Sequence, residues 1–118
     1  MRFNAPRPKA VDAKTLRGTV LKVDRFGNLI TNITAQDAPA LFQVPLPAFK
    51  MAIGQREVTS FKTNYADGAP NELFAILGSM GYLEIAANRT AAAQLAGAGK
   101  GTEVSLILEG AAAVANGH

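Results

Sequence analysis

Two short stretches hold most of the residues in this chain that could do chemistry. The first, Asp24-Arg25-Phe26-Gly27-Asn28, puts a carboxylate, an aromatic ring, a glycine and an amide into five residues. The second, Gly78-Ser79-Met80-Gly81, offers a hydroxyl and backbone N–H groups between two glycines. A carboxylate such as Asp24 can receive a cationic amine. Ser79 and the N–H groups after it can bind a carboxylate, and Asn28 can read a purine edge with its paired donor and acceptor. Set at one rim of a barrel, the two stretches make a polar small-molecule site. Each group also has a plain structural use. Asp24 and Asn28 can bond their own backbone in a turn, Ser79 can satisfy a hairpin, and Phe26 can serve the core. The sequence shows no nucleophile–base pair, no carboxylate pair and no metal-ligand cluster.

The elements around these stretches read as strands. Residues 15–24 and 29–33 flank the first and are rich in β-branched side chains. Residues 73–78 form a nearly continuous apolar run, and 82–86 return after a short Gly-containing turn, which makes a hairpin. Further strands are read at 49–53, 56–63 and 102–108. Pro39 limits any helix after Thr34 to about one turn. Asn88 can cap a helix over 89–96, whose alanines are strong helix formers and which Gly97 and Gly99 end. Six or seven strands and one short helix predict an all-β domain, a small closed or nearly closed barrel. Closure also hides the edges of apolar strands.

Composition narrows the function classes. The 118 residues fit one domain, and the apolar fraction of 48% suffices for a real core. Cysteine is absent, so disulfides and thiolate metal sites are excluded, and the lone histidine is the terminal His118. The net charge is +3, with Arg2, Arg7, Lys9 and Lys14 all in the first fourteen residues. The remaining cations are scattered singly, which argues against nucleic acid as a partner. No apolar run approaches the ~20 residues of a membrane span, and the N-terminus lacks the apolar core of a signal peptide, so a cytoplasmic protein is expected. Residues 1–14 have linker composition, 15–109 the barrel domain, and 110–118 an alanine-rich tail.

The two stretches belong to longer motifs. The run Gly18-x-Val20-x-x-x-Asp24-Arg25-Phe26-Gly27-Asn28-x-x-Thr31-Asn32-Ile33 resembles the C-terminal domain of the S-adenosylmethionine (SAM) hydroxide adenosyltransferases, relatives of the SAM-dependent fluorinases and chlorinases. The second half is similar too, in Tyr65-Ala66-Asp67, Glu72-Leu73-Phe74-Ala75 and Gly78-Ser79-x-Gly81-Tyr82-Leu83-Glu84-Ile85-Ala86-x-Asn88. The resemblance covers about residues 16–108, in order.

This resemblance implies an enzyme with an N-terminal α/β domain and a C-terminal β-barrel domain, assembled as a homotrimer. SAM, the substrate and not a cofactor, binds between the N-terminal domain of one subunit and the barrel of the next, and water or halide attacks C5′ with methionine leaving. Carried over by position, Asp24 holds the methionine amino group, and Ser79 with the Met80 N–H holds its carboxylate. Asn28 and the backbone at Arg89 address adenine, Phe26 lines the pocket, and Tyr65 is a further candidate. Ile30 stands where the fluorinase has tryptophan and suits the hydroxide branch. Arg89-Thr90 departs from the Gln-Gly common in hydroxide-type relatives. The N-terminal domain, with its ribose-binding carboxylate and water-activating residues, has no counterpart in this sequence. The chain alone is therefore expected to bind and not to catalyse. The alternatives are a stand-alone adenosine/SAM-binding or assembly module, or a domain of a SAM-dependent halogenase.

Overall fold

The computed structural model describes residues 7–12, 14–42, 48–62, 72–88 and 90–108. Among them, nine strands run β1 (Lys9–Ala10), β2 (Thr15–Val23), β3 (Leu29–Thr34), β4 (Phe49–Ile53), β5 (Arg56–Val58), β6 (Phe61–Lys62), β7 (Leu73–Leu77), β8 (Tyr82–Ala87) and β9 (Glu103–Leu108). A 3-10 turn covers Pro39–Phe42, and a helix, α1, covers Ala92–Ala96. The all-β class stands, but the strands number nine, not six or seven. The difference has two sources. The Pro- and Lys-bearing start supplies the two-residue β1, paired with Arg17 and Leu16. The expected strand over 56–63 breaks at Thr59–Ser60 into β5 and β6, which join different neighbours.

The order across the sheet is β5-β4-β9-β2-β3-β8-β7-β6, with β1 beside β2. The two ends of this order, β5 and β6, are consecutive in sequence and separated only by Thr59–Ser60. The sheet therefore curls until its two edge strands join through the chain itself, and the Ala75 N–H bonds Ser60 O at 2.8 Å, which carries the β6–β7 pairing back to the residue before β6. The long β2 turns the other corner. Its first half pairs with β9 and its second half with β3, with a bulge between Val20 and Lys22. Bulges bend a strand and raise its twist.

A second irregularity lies in β3 between Ile30 and Thr34. Thr31 holds it: its hydroxyl donates to Leu83 O at 2.7 Å and accepts from the Ile33 N–H at 3.2 Å. Asn32 Oδ1 accepts the Thr19 N–H at 2.9 Å, and a Cβ on Gly18 would overlap that oxygen. The polar pair Thr31-Asn32 is thus buried because it satisfies backbone where the ladder slips.

The core lies inside the curl. Leu29, Ile33, Met51, Leu83, Ile85, Val104 and Leu106 are fully enclosed. The helix closes one end, with Ala92 and Ala96 buried in the same core. It begins later than 89, with Ala91 at its N-cap and no side-chain cap. Asn88 does not cap it. Instead the Ala93 N–H reaches Gly27 O at 2.9 Å, so a carbonyl of the β2–β3 turn satisfies a donor that a helix start leaves open. Gly97, at φ 64°, ends the helix as expected.

Candidate functional site

Side chains alternate across a strand, so residues adjacent to the core positions face the other way. Leu29, Ile85 and Ala75 are cross-strand partners on β3, β8 and β7, and all three point into the core. One residue along, the aligned row is Lys22–Ile30–Glu84–Ile76, running over β2, β3, β8 and β7. All four line an open cleft of about 1310 Å³. The cleft floor is therefore the outward face of the curled sheet, not the mouth of a barrel. Its volume exceeds the roughly 300–1,000 Å³ of a closed ligand pocket, as expected of a site open on one side.

Two turns flank that floor, at opposite ends of the β3–β8 ladder, and the curl brings both to the cleft. Asp24, Phe26 and Asn28 come from the β2–β3 turn, and Ser79 and Met80 from the β7–β8 turn. Five of the seven residues singled out in the sequence thus line one cleft. The other two, Tyr65 and Arg89, lie outside the described residues.

In the first turn Asp24 does local work. Its Oδ1 accepts the N–H groups of Phe26 and Asn28, each at 2.9 Å, and its Oδ2 accepts Asn28 Nδ2 at 3.3 Å. The structural use of Asp24 and the ligand use are not exclusive, because Oδ2 keeps acceptor capacity beyond one long bond. Asn28 is 6% exposed, and among the described residues its side chain bonds only to Asp24. No fully buried side-chain nitrogen or oxygen among the described residues lacks a partner, so the remaining capacity of the Asn28 amide is open to the cleft. Gly27 adopts φ 84°, and a Cβ there would overlap Ala91 Cβ. The turn is thereby locked against the start of α1, and Ala91 and Thr90 enter the cleft wall.

In the second turn three donors have no partner among the described residues. The Gly81 N–H bonds Gly78 O at 3.0 Å. The Ser79 hydroxyl and the N–H groups of Ser79 and Met80 have no partner among the described residues. A hydroxyl and two adjacent N–H groups on an exposed turn suit an anionic group such as a carboxylate. Phe26 and Met80 stand beside these polar groups, 72% and 78% exposed. Exposed large apolar side chains thus stand on both walls of the cleft.

Sequence reasoning singled out neither Lys22 nor Glu84 as a site residue. Glu84 sits in the run Tyr82-Leu83-Glu84-Ile85, where alternation reads it as a solvent-facing strand position. It is 8% exposed, buried in the cleft floor. The signal that finds it is the register, which sets it between Ile30 and Ile76. Among the described residues no group of three His, Cys, Asp or Glu could hold a metal ion, and no helix is long and apolar enough to cross a membrane.

Residues 18–105 match the family described as the SAM hydroxide adenosyltransferase C-terminal domain. The chain belongs to that family. It is 38% identical over 92 residues to the (R)-S-adenosyl-L-methionine hydrolase of Thermus thermophilus, a match that takes in 76% of this chain and 31% of the hydrolase. A crystal structure of a conserved Thermotoga maritima protein superimposes with a TM-score of 0.73 at 27% identity, over 89% of this chain and 40% of that one. A second, of a conserved protein from Thermus thermophilus, gives 0.58 at 32% identity, over 77% and 32%. This SAM hydroxide adenosyltransferase C-terminal domain thus spans about a third of the hydrolase it matches.

Proposed function

We propose that this chain is the substrate-binding half of a SAM hydroxide adenosyltransferase, which converts SAM and water to adenosine and methionine. The observation that carries the reading is the convergence of both family motifs on one cleft, with Asp24 and Asn28 in one wall and Ser79 and Met80 in the other. Asp24 receives the α-ammonium through Oδ2. The Ser79 hydroxyl and the Met80 N–H receive the α-carboxylate. Asn28 addresses adenine with the amide capacity that its bond to Asp24 leaves open, and the resemblance assigns the Arg89 backbone to adenine as well. Phe26 lines the pocket, and Tyr65 remains a further candidate from the resemblance alone.

In the reaction a water oxygen forms a bond to C5′ as the C5′–S bond breaks. The electron pair stays on sulfur, which turns from sulfonium to neutral thioether, and the water gives up a proton. None of the described residues of the cleft is assigned as its acceptor. That group, and the second wall over Phe26 and Met80, belong to the N-terminal α/β domain of a neighbouring subunit in a homotrimer. Ile30, in the cleft floor, favours the hydroxide branch over the halogenases. Half a pocket holds its ligand without full enclosure, so affinity of the isolated chain for SAM is in the millimolar range, about 4 kcal/mol.

The test is chromatography of SAM incubated with the purified chain, alone and after mixing with an α/β domain of the same family. Adenosine and methionine should form only in the mixture. Release by the chain alone overturns the division of labour, and micromolar SAM binding by the monomer favours a stand-alone binding module instead.

A further inference from the structure

The helix α1 is too short to hold its own place. Its 5 residues fall well below the ~12–15 at which an isolated helix becomes even marginally stable in water. The side chains it buries fully are two alanines, Ala92 and Ala96, with Ala93 and Leu95 partly buried beside them. Much of its placement must therefore come from what meets its two ends. At the start, the Ala93 N–H bonds Gly27 O at 2.9 Å, and Gly27 lies so close to Ala91 that no Cβ fits between them.

The other end meets the β4–β5 hairpin, whose turn is Gly54-Gln55, with Ile53 paired to Arg56 across it. Arg56 Nη1 donates to Leu95 O at 3.1 Å, one of the carbonyls that a helix end leaves open. Gly54, at φ 57°, approaches so closely that a Cβ would stand 2.6 Å from Ala96 O. The helix is thus clamped between two turns that are far apart in sequence. Thr90 and Ala91, which lead into it, line the cleft with Asp24 and Asn28, whereas Gly54 and Arg56 do not line it.

We infer that Arg56 is a positioning residue for the cleft. Its bond to Leu95 O holds the last turn of α1 to the β4–β5 hairpin. The helix carries that restraint to Thr90 and Ala91 and, through the Ala93–Gly27 bond, to the turn that bears Asp24 and Asn28. Because the Arg56 bond is exposed, it adds little to global stability. It acts by fixing one short element, whose far end is a wall of the site. The consequence for the ligand rests on the proposed function, whereas the consequence for the helix and the turn does not.

The experiment uses the 118-residue chain, read by amide hydrogen exchange and by NMR shifts. Arg56→Met keeps an apolar stem and removes the donor. It should speed exchange of the Ala93 amide about threefold or more relative to Leu106, in the central strand β9, and should move the Gly27 and Asn28 amide resonances. Arg56→Lys, which keeps a donor, should bring Ala93 back to within about twofold of wild type. Arg17→Met, the loss of a surface arginine elsewhere, should leave Ala93, Gly27 and Asn28 unchanged. Unchanged Ala93 exchange in Arg56→Met, no recovery in Arg56→Lys, or the same change in Arg17→Met overturns the inference. If Arg56→Met does not fold, Gly54→Ala decides the matter. It presses on Ala96 O at the same end of α1, and unchanged Gly27 and Asn28 resonances there overturn the inference. In the assembled two-domain enzyme, Arg56→Met should raise KM for SAM about two- to fivefold and leave kcat within about twofold, since Arg56 does not reach the ligand. An unchanged KM beside faster Ala93 exchange overturns the role at the cleft. An assembled wild-type enzyme that does not turn over SAM counts against the proposed function, and the exchange rates still decide the role of Arg56.

Discussion

Asp24 serves its turn and, by proposal, its ligand, and two substitutions separate the roles. Asp24→Ala removes the acceptor for the Phe26 N–H, the Asn28 N–H and the Asn28 amide. The turn is exposed to part-buried, so each bond, though to a charged acceptor, is taken at about 0.5–1 kcal/mol, the low end for a hydrogen bond, and the expected loss is roughly 1–3 kcal/mol. For a domain of this size that lowers Tm by about 3–5 °C for each kcal/mol. Asp24→Asn keeps an oxygen where Oδ1 now accepts two N–H groups. It puts an NH₂ opposite Asn28 Nδ2, which the Asn28 amide relieves by turning its oxygen inward. Its stability should therefore stay within about 1 kcal/mol of wild type. The ligand should tell the two variants from wild type alike. Loss of a charged partner for an ammonium is worth roughly 1–3 kcal/mol, a drop of about 5- to 150-fold in kcat/KM. The assays are urea unfolding of the isolated chain and SAM turnover in the assembled two-domain enzyme. Asp24→Asn with undiminished kcat/KM would confine Asp24 to the turn and sink the assignment of the amine.

Three further outcomes follow from single contacts. Gly27→Ala must place a Cβ against Ala91 at φ 84°, and should cost about 1–3 kcal/mol in urea unfolding, with shifts centred on α1. Phe26→Ser with Met80→Ser removes two side chains that are mostly exposed in the isolated chain, so its stability should change by no more than about 0.5 kcal/mol, while sedimentation should show weaker association with the α/β domain. Arg17→Ala breaks the 3.0 Å pair with Glu103, both half-exposed, and should cost less than about 1 kcal/mol, a difference from wild type that shrinks as salt is added.

How much of this was legible in the sequence differs between fold and site. The strands β2 and β3 announce themselves by β-branched runs that end at turn residues, β9 by alternation, and β7 with β8 by apolar runs on either side of a Gly-containing turn. The short pieces do not. The strand β1 is Lys9-Ala10, whose pairing with Arg17 and Leu16 comes from backbone alone, and backbone bonds leave no side-chain pattern. The break at Thr59–Ser60 is set by a parallel pairing of Phe61 and Lys62 with β7, a tertiary fact with no local signature. The start of α1 was misplaced because its first donor is met by a carbonyl from Gly27, sixty-six residues earlier than Ala93, where sequence reasoning looks for a side-chain cap nearby.

The site was legible where chemistry sits in turns and illegible where it sits in strands. Turn residues carry their polar groups against a background of Gly and apolar neighbours, so Asp24, Asn28 and Ser79 stand out. Glu84 alternates with the core residues Leu83 and Ile85 as any outward strand position does, Lys22 sits at the bulged end of β2, and only the alignment of four strands turns that outward face into a cleft floor. The same alignment gives a physical reason for the partner in the proposed function. A curled sheet spends its inner face on its own core, so a ligand site on its outer face has a floor and two turn-built walls but no lid. Phe26 and Met80, standing over those walls at more than two-thirds exposure, are stable in water only as a compromise. A second body that covers them would gain apolar burial and, in the same step, exclude water from the bonds that Asp24, Asn28 and Ser79 make to a ligand. Binding partner and binding substrate are then one thermodynamic event, and each should tighten the other by the same factor.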